Sequence, residues 1–236
     1  SLNNIKEIKK LVKQFGALTV WDASHAAGSV ELNFKKNNID LAVGCSYKYL
    51  CSGPGSPAWL YVKKNLQNKL RVPIQGWFAQ KNQFEMGPNF EKSPDIRGFQ
   101  IASPSLIGLR SINVACNIIK DAKMKNIIKK AELGTNLILQ LYDEWLEDLG
   151  FSLMTPLDSN ERGAHVSLFH DHAKSISVSL RKYERVIVDY RKPKQIRIAV
   201  SPLSTSYYEI YTAMKKIRDS VRRKDFLKIK KYKSRT

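Results

Sequence analysis

The pattern of apolar and polar positions divides the chain into helix-like and strand-like stretches. In "LNNIKEIKKLVKQFG" the spacing predicts a helix over residues 3–15 that stops at Gly16, a residue suited to a helix C-terminus. Three short apolar runs follow: "ALTVW" with Asp22 at its end, then "IDLAVGCS", then "PAWLYV". Runs of this length, bounded by glycine, proline and serine, read as buried strands. "HAAGSVEL", between the first two, reads as a short helix or turn. Residues 63–104 are loop-rich and carry "GWFAQKNQFEMGPNF". From Ser105, "SLIGLRSINVACNIIKDA" predicts a long helix, and another is expected over about 126–148, ending at Gly150. The remainder alternates. Strands "FSLMTP" and "HVSLF" precede a helix "SISVSLRKY", strands "VIVDY" and "IRIAVS" come next, and a last helix starts near Tyr207.

The strand–connection–strand rhythm of the first part favours a parallel α/β sheet, with a site on the loops that follow the strand ends. The later alternation favours a smaller α+β unit. The expected division is 1–110 and 111–236, with the boundary inside or beside the long helix. Three strands are too few for a parallel sheet covered on both faces. The first unit therefore reads as part of a larger sheet.

Composition changes this picture little. A chain of 236 residues has room for one large domain, or a medium one and a small one. It starts at Ser1 rather than methionine, so residues ahead of Ser1 are expected in the natural protein. Neither a charged-then-apolar leader nor a bilayer-length apolar run occurs, so a soluble, cytoplasmic protein without a membrane partner is expected. The formal charge of +19 invites a nucleic-acid reading. Its lysines are scattered through helices, however, and no aromatic-basic pattern of an RNA-binding sheet occurs. The densest basic run, "KKIRDSVRRKDFLKIKKYKSRT", reads as a helix with a solvated face, so nucleic acid is not the expected partner. Cys45, Cys51 and Cys116 are odd in number and fall in no metal-ligand spacing, and the four histidines form no His-Glu-x-x-His motif. No metal is expected.

Candidate chemistry gathers at two strand ends. Asp22 and Lys48 each follow an apolar run, one strand–connection–strand unit apart, so both can emerge on the same sheet edge. Lys48, in "VGCSYKYLCSGPGSPAWLYV", is either a lysine reaching solvent or an amine held for chemistry. A carboxylate and an amine facing one pocket have a specific use with pyridoxal phosphate. The amine forms a Schiff base with the cofactor aldehyde, and the acid keeps the pyridine nitrogen protonated. His25 stands three residues beyond Asp22 and could pack on the ring, and Tyr47 could donate to the phosphate.

"VWDASHAAGSVEL", "AVGCSYKYLCSGPGSPAWLYV", "GWFAQ", "IASPSLIGL" and "VIVDYRKPKQIRIAVSPL" occur in the order found in kynureninases. Over nearly all of the chain except the basic tail, the sequence resembles the C-terminal portion of that family. The resemblance implies an α/β fold: the C-terminal part of a fold type I, pyridoxal phosphate-dependent large domain, mainly parallel, followed by a small α+β domain. It also implies hydrolytic cleavage of the Cβ–Cγ bond of L-kynurenine, or 3-hydroxykynurenine, to an anthranilate and L-alanine. Lys48 would be the Schiff-base lysine and the base at the substrate Cα. Asp22 would pair with the pyridine nitrogen and His25 would line the cofactor. Tyr47 would bind phosphate and help proton transfer at Cβ. Trp77 would contact the phosphate and Ser103 would lie near cofactor and substrate, where relatives have threonine or asparagine. Arg197 would clamp the substrate α-carboxylate with its two-pronged guanidinium. The family forms homodimers, so dimerisation of the complete protein is expected.

The sequence departs from the family pattern at Cys51, where asparagine is common, and at Gln80, where histidine is often found. The family's N-terminal half is expected to lie outside this chain. That half supplies the phosphate loop, the ring-stacking aromatic and a second aspartate. Two other readings remain open: a cysteine desulfurase-like enzyme on the same fold, which needs a mobile cysteine, and a truncated, non-catalytic remnant.

Overall fold

The computed structural model describes residues 2–85 and 87–229; residues 230–236 of the basic tail lie outside them. Contacts divide the chain into two units, Asn4–Asp121 and a second running from Ala122 onward, which also takes in residues 2–3. The break falls between Asp121 and Ala122, next to Lys123, whose positive φ of 65° separates two consecutive helices, Leu106–Ala122 and Met124–Trp145. Residue 110, where the sequence pattern set the boundary, lies inside α3 (Leu106–Ala122), which runs without interruption.

The first unit opens with α1 (Ile5–Gln14), N-capped by Asn4, whose side chain accepts from the Glu7 N–H. Its three-stranded sheet has the order β1 (Val20–Asp22), β2 (Leu41–Gly44), β3 (Trp59–Val62). β1 and β2 run parallel, with Asp22 beside Val43, as the crossover rhythm implied. β3 is antiparallel to β2, an exception within a sheet expected to be mainly parallel. Its cause is the connection: residues 45–58 fold back as a tight loop with no crossover helix, and only antiparallel neighbours can be joined that way. Ala42 and Gly44 are buried on one face, where the Trp59 ring occupies the space a Gly44 side chain would need. On the other face Val20, Val43 and Leu60 are exposed, Val20 to 65%. β1 is an edge strand, paired on one side only among the described residues. After β3 come the single-turn α2 (Lys64–Gln67), two 3₁₀ turns at Trp77–Ala79 and Ile96–Phe99, and α3. Asp40 ties α1 to this sheet, accepting from Lys9 Nζ at 3.0 Å and from Thr19 Oγ1 at 3.1 Å.

The second unit is α+β. Helix α4 (Met124–Trp145) precedes β4 (Ser152–Leu153) and β5 (His165–Phe169); α5 (Ala173–Ser179) then runs straight into a π-helical turn at Leu180–Glu184. β6 (Asp189–Arg191), β7 (Gln195–Ala199) and α6 (Tyr207–Arg222) complete it. The sheet order is β4-β5-β7-β6, all antiparallel. Period-two alternation sorts its faces. Val166, Leu168, Ile196 and Ile198 are buried in one core with Ile138 and Tyr142 of α4 and Ile210, Met214 and Ile217 of α6. Ser167, Gln195 and Arg197 point the other way. No described helix is long and apolar enough to cross a membrane.

Candidate active site

Asp22 occupies the last position of β1, and its Oδ1 accepts from the Ser24 N–H at 2.8 Å. Through its hydroxyl and its backbone N–H, Ser24 holds the Asp22 carboxyl below its ordinary value; burial opposes this, and the nearby Lys48 and His25 add smaller effects in the same direction as Ser24. Lys48 lies four residues beyond the end of β2, half-buried, with its Nζ 5.6 Å from the centre of the Tyr47 ring. Among the described residues that amine has no hydrogen-bond or ion-pair partner.

Local chemistry holds this loop in place. Ser46, fully buried, donates to the Pro57 carbonyl at 2.6 Å and lies 3.0 Å from the Ser56 hydroxyl. Ser52 reaches the same hydroxyl at 2.7 Å, and its N–H returns to the Ser46 carbonyl at 3.1 Å. The Cys51 N–H closes on the Lys48 carbonyl at 2.8 Å, and Cys51 itself adopts φ 58°. Three serines therefore staple the segment that presents Tyr47 and Lys48.

The turn bearing His25 packs directly on this loop. Gly28 has φ 86°, and a Cβ there would fall 2.6 Å from the Tyr49 carbonyl carbon. Only glycine allows the two backbones so close. The Cys45 N–H adds a bond to Ser24 Oγ at 3.3 Å. Asp22, His25, Tyr47 and Lys48 thus share one neighbourhood, as the sequence implied. The three staple serines, Ser24 and Gly28 went unnoticed there; the only hint of them was the density of glycine, serine and proline after the lysine.

Trp77 and Ser103 are brought near one another through the backbone. Gly76 lies against the Ile101 carbonyl with no room for a side chain, which sets the Trp77 turn beside the segment leading to Ser103. Farther on, Gly108 of α3 leaves space for Pro57, the residue whose carbonyl accepts from Ser46. Trp77 is partly exposed, with its ring edge-on to Phe78 at 4.6 Å, and Ser103 is exposed. Arg197 belongs to the second unit. There it stands opposite Asp189 across β7 and β6 and donates from Nη2 to Asp189 Oδ2 at 2.5 Å. Among the described residues no group of three histidine, cysteine or acidic side chains could hold a metal ion.

Residues 127–217 match the model of the kynureninase C-terminal domain. The kynureninase of Burkholderia mallei (strain SAVP1) is 31% identical over 218 residues, which cover 92% of this chain and 52% of that protein. The chain therefore spans about half the length of the curated relatives it matches. Among solved structures, the apo cysteine desulfurase of Thermococcus onnurineus NA1 superposes with a TM-score of 0.76 at 18% identity, covering 93% of this chain and 56% of the other. A C-DES variant solved with glycine covalently linked to its PLP cofactor gives a TM-score of 0.68 at 13% identity, over 82% of this chain and 49% of that one. At such identities the structural likeness speaks for the fold, which is the α/β architecture of fold type I. In sequence, over nearly its whole length, the chain is similar to the C-terminal portion of kynureninases.

Proposed function

We propose that this chain carries the lysine-bearing part of a pyridoxal phosphate-dependent kynureninase, whose reaction hydrolyses the Cβ–Cγ bond of L-kynurenine to anthranilate and L-alanine. The observation that carries the reading is the placement at or beyond two parallel strand ends of a carboxylate, Asp22, and an amine, Lys48, that has no hydrogen-bond or ion-pair partner among the described residues. The cofactor fits such a pair, because its aldehyde needs a primary amine and its ring nitrogen needs a nearby carboxylate to remain protonated. When bound, the cofactor supplies an electron sink for the pair of electrons left on the substrate Cα.

The chain's own residues take the remaining roles. Lys48 would hold the cofactor aldehyde; once the substrate amine displaces it, the freed Lys48 amine would take the Cα proton, a task that its stapled loop suits by fixing the amine's origin. Asp22, kept ionised chiefly by its hydrogen bonds from Ser24, would pair with the protonated ring nitrogen. His25 would line the ring. The half-exposed Tyr47 phenol would bind the phosphate and help proton transfer at Cβ. Trp77 would contact the phosphate, and Ser103 would offer one hydroxyl to cofactor or substrate. Arg197 receives the substrate α-carboxylate. Water supplies the hydroxyl that remains on the γ-carbon, giving the carboxylate of anthranilate. The complete enzyme acts as a cytoplasmic homodimer in this reading.

The reading is tested by incubating the chain with pyridoxal phosphate, reducing with borohydride and mapping pyridoxyl adducts by mass spectrometry. An adduct concentrated on Lys48 and absent from Lys48→Ala is the expected result. Adducts spread evenly over surface lysines would overturn it. Offering kynurenine and cysteine in parallel, and assaying anthranilate and alanine, separates kynureninase from desulfurase chemistry.

A further inference from the structure

A cavity of about 630 Å³ lies wholly within the second unit, between the α5 face and the β6–β7 hairpin. Lys174, Ser177, Val178 and Arg181 line it from the helical side at i, i+3, i+4 and i+7, the spacing of a single face. The π-helical turn that follows α5 begins at Leu180, so Arg181 sits where the helix widens, a feature frequent at functional sites. From the sheet side come Ile187, Val188, Asp189, Tyr190, Arg197 and Ala199.

Its charges do not balance. The lining carries three cations, Lys174, Arg181 and Arg197, and a single carboxylate, Asp189. That carboxylate is also shared: its Oδ2 accepts from Arg197 Nη2 at 2.5 Å and from Arg191 Nε at 2.8 Å, and Arg191 is not part of the lining. Asp189 therefore orients Arg197 without neutralising the cavity. One carboxylate on Arg197 would still leave Lys174 and Arg181 unanswered. The remaining wall (Val178, Ile187, Val188, Ala199) is apolar and larger than a bare inorganic ion requires.

We propose that this cavity is a binding site for a small organic dianion, a carbon skeleton bearing two acidic groups, with Arg197 taking one group and Arg181 with Lys174 the other. Because Arg197 is shared, such a ligand competes with a substrate carboxylate placed there. Binding itself needs no cofactor and is read without it; only the competition rests on the role proposed above for Arg197.

Calorimetric titration of the 236-residue chain, without pyridoxal phosphate and at constant ionic strength, tests it. The probes are phthalate, benzoate and inorganic phosphate. Phthalate and benzoate share a ring and differ by one carboxylate. Saturable phthalate binding at least fivefold tighter than benzoate is expected, with phosphate weaker than phthalate. Both Arg181→Gln and Lys174→Gln, each an exposed position that leaves the core intact, should reduce that ratio toward one, while Arg110→Gln in the first unit leaves it unchanged. Equal affinity for phthalate and benzoate, an equal loss in Arg110→Gln, or no saturable binding would overturn the proposal. Phosphate binding tighter than phthalate would also overturn it, by assigning the cations to a bare ion.

Discussion

At Cys51 the sequence departs from the asparagine common in kynureninases, and the structure gives that departure a physical meaning. The residue sits at φ 58°, in the left-handed region, where asparagine is accepted far better than cysteine. Cys51→Asn is therefore expected to stabilise the chain by about 0.5–1 kcal/mol in chemical denaturation, leaving Lys48 labelling intact. The opposite case is Gly28. Its φ of 86° and the Tyr49 carbonyl carbon 2.6 Å from a virtual Cβ leave alanine no place without shifting the Lys48 loop. Gly28→Ala should cost about 2 kcal/mol or more and weaken the Lys48 adduct, both read from denaturation and mass spectrometry. Site residues of distinct chemical type, such as Asp22 and Lys48, could be picked out from their positions after apolar runs. What holds them could not, because serine and glycine recur in every loop and only coordinates reveal which of them touch.

Among the elements, those with a strong period were legible. The helix expected at 105–122 is α3 at Leu106–Ala122, and β5 and β7 alternate as the apolar pattern required. Elements without one were overcalled. "FSLMTP" yields a strand of two residues, and the first three residues of "VIVDY" precede β6. Pairing partners, not propensity, set such short ends. The link between β5 and α5 holds a pH-sensitive group that periodicity does not reveal. His170 is buried, with Nε2 3.2 Å from the Leu149 carbonyl and Nδ1 accepting the His172 N–H at 2.9 Å, so Nε2 carries the proton. Burial lowers its pKa from the ordinary 6.5, and the neighbouring His172 adds to this against the Leu149 bond. Its contribution to stability is complete above about pH 6.5 and is lost as the pH falls, because the unfolded chain takes up the proton first. Denaturation midpoints should fall from pH 7 to pH 5.5 in the wild type and less steeply in His170→Gln.

At the scale of the whole molecule, the second unit's enclosed core contrasts with the open face of the first. Two architectures placed in sequence, a sheet of α/β type and an α+β unit, were evident from the order of the apolar runs. The direction of β3 was not, since an apolar run carries no sign of its orientation. Nor was the cavity over Arg197, which joins a helix and a hairpin separated along the chain. The edge of β1 has a practical consequence for anyone handling the protein. Unpaired among the described residues, that edge beside an exposed Val20 offers a template on which a second molecule can lay a strand, so self-association should rise with protein concentration. A positive charge on that edge should break the template. Val20→Lys is expected to lower light scattering at high protein concentration while changing folding stability, read by chemical denaturation, by no more than about 0.5 kcal/mol, as for other surface changes.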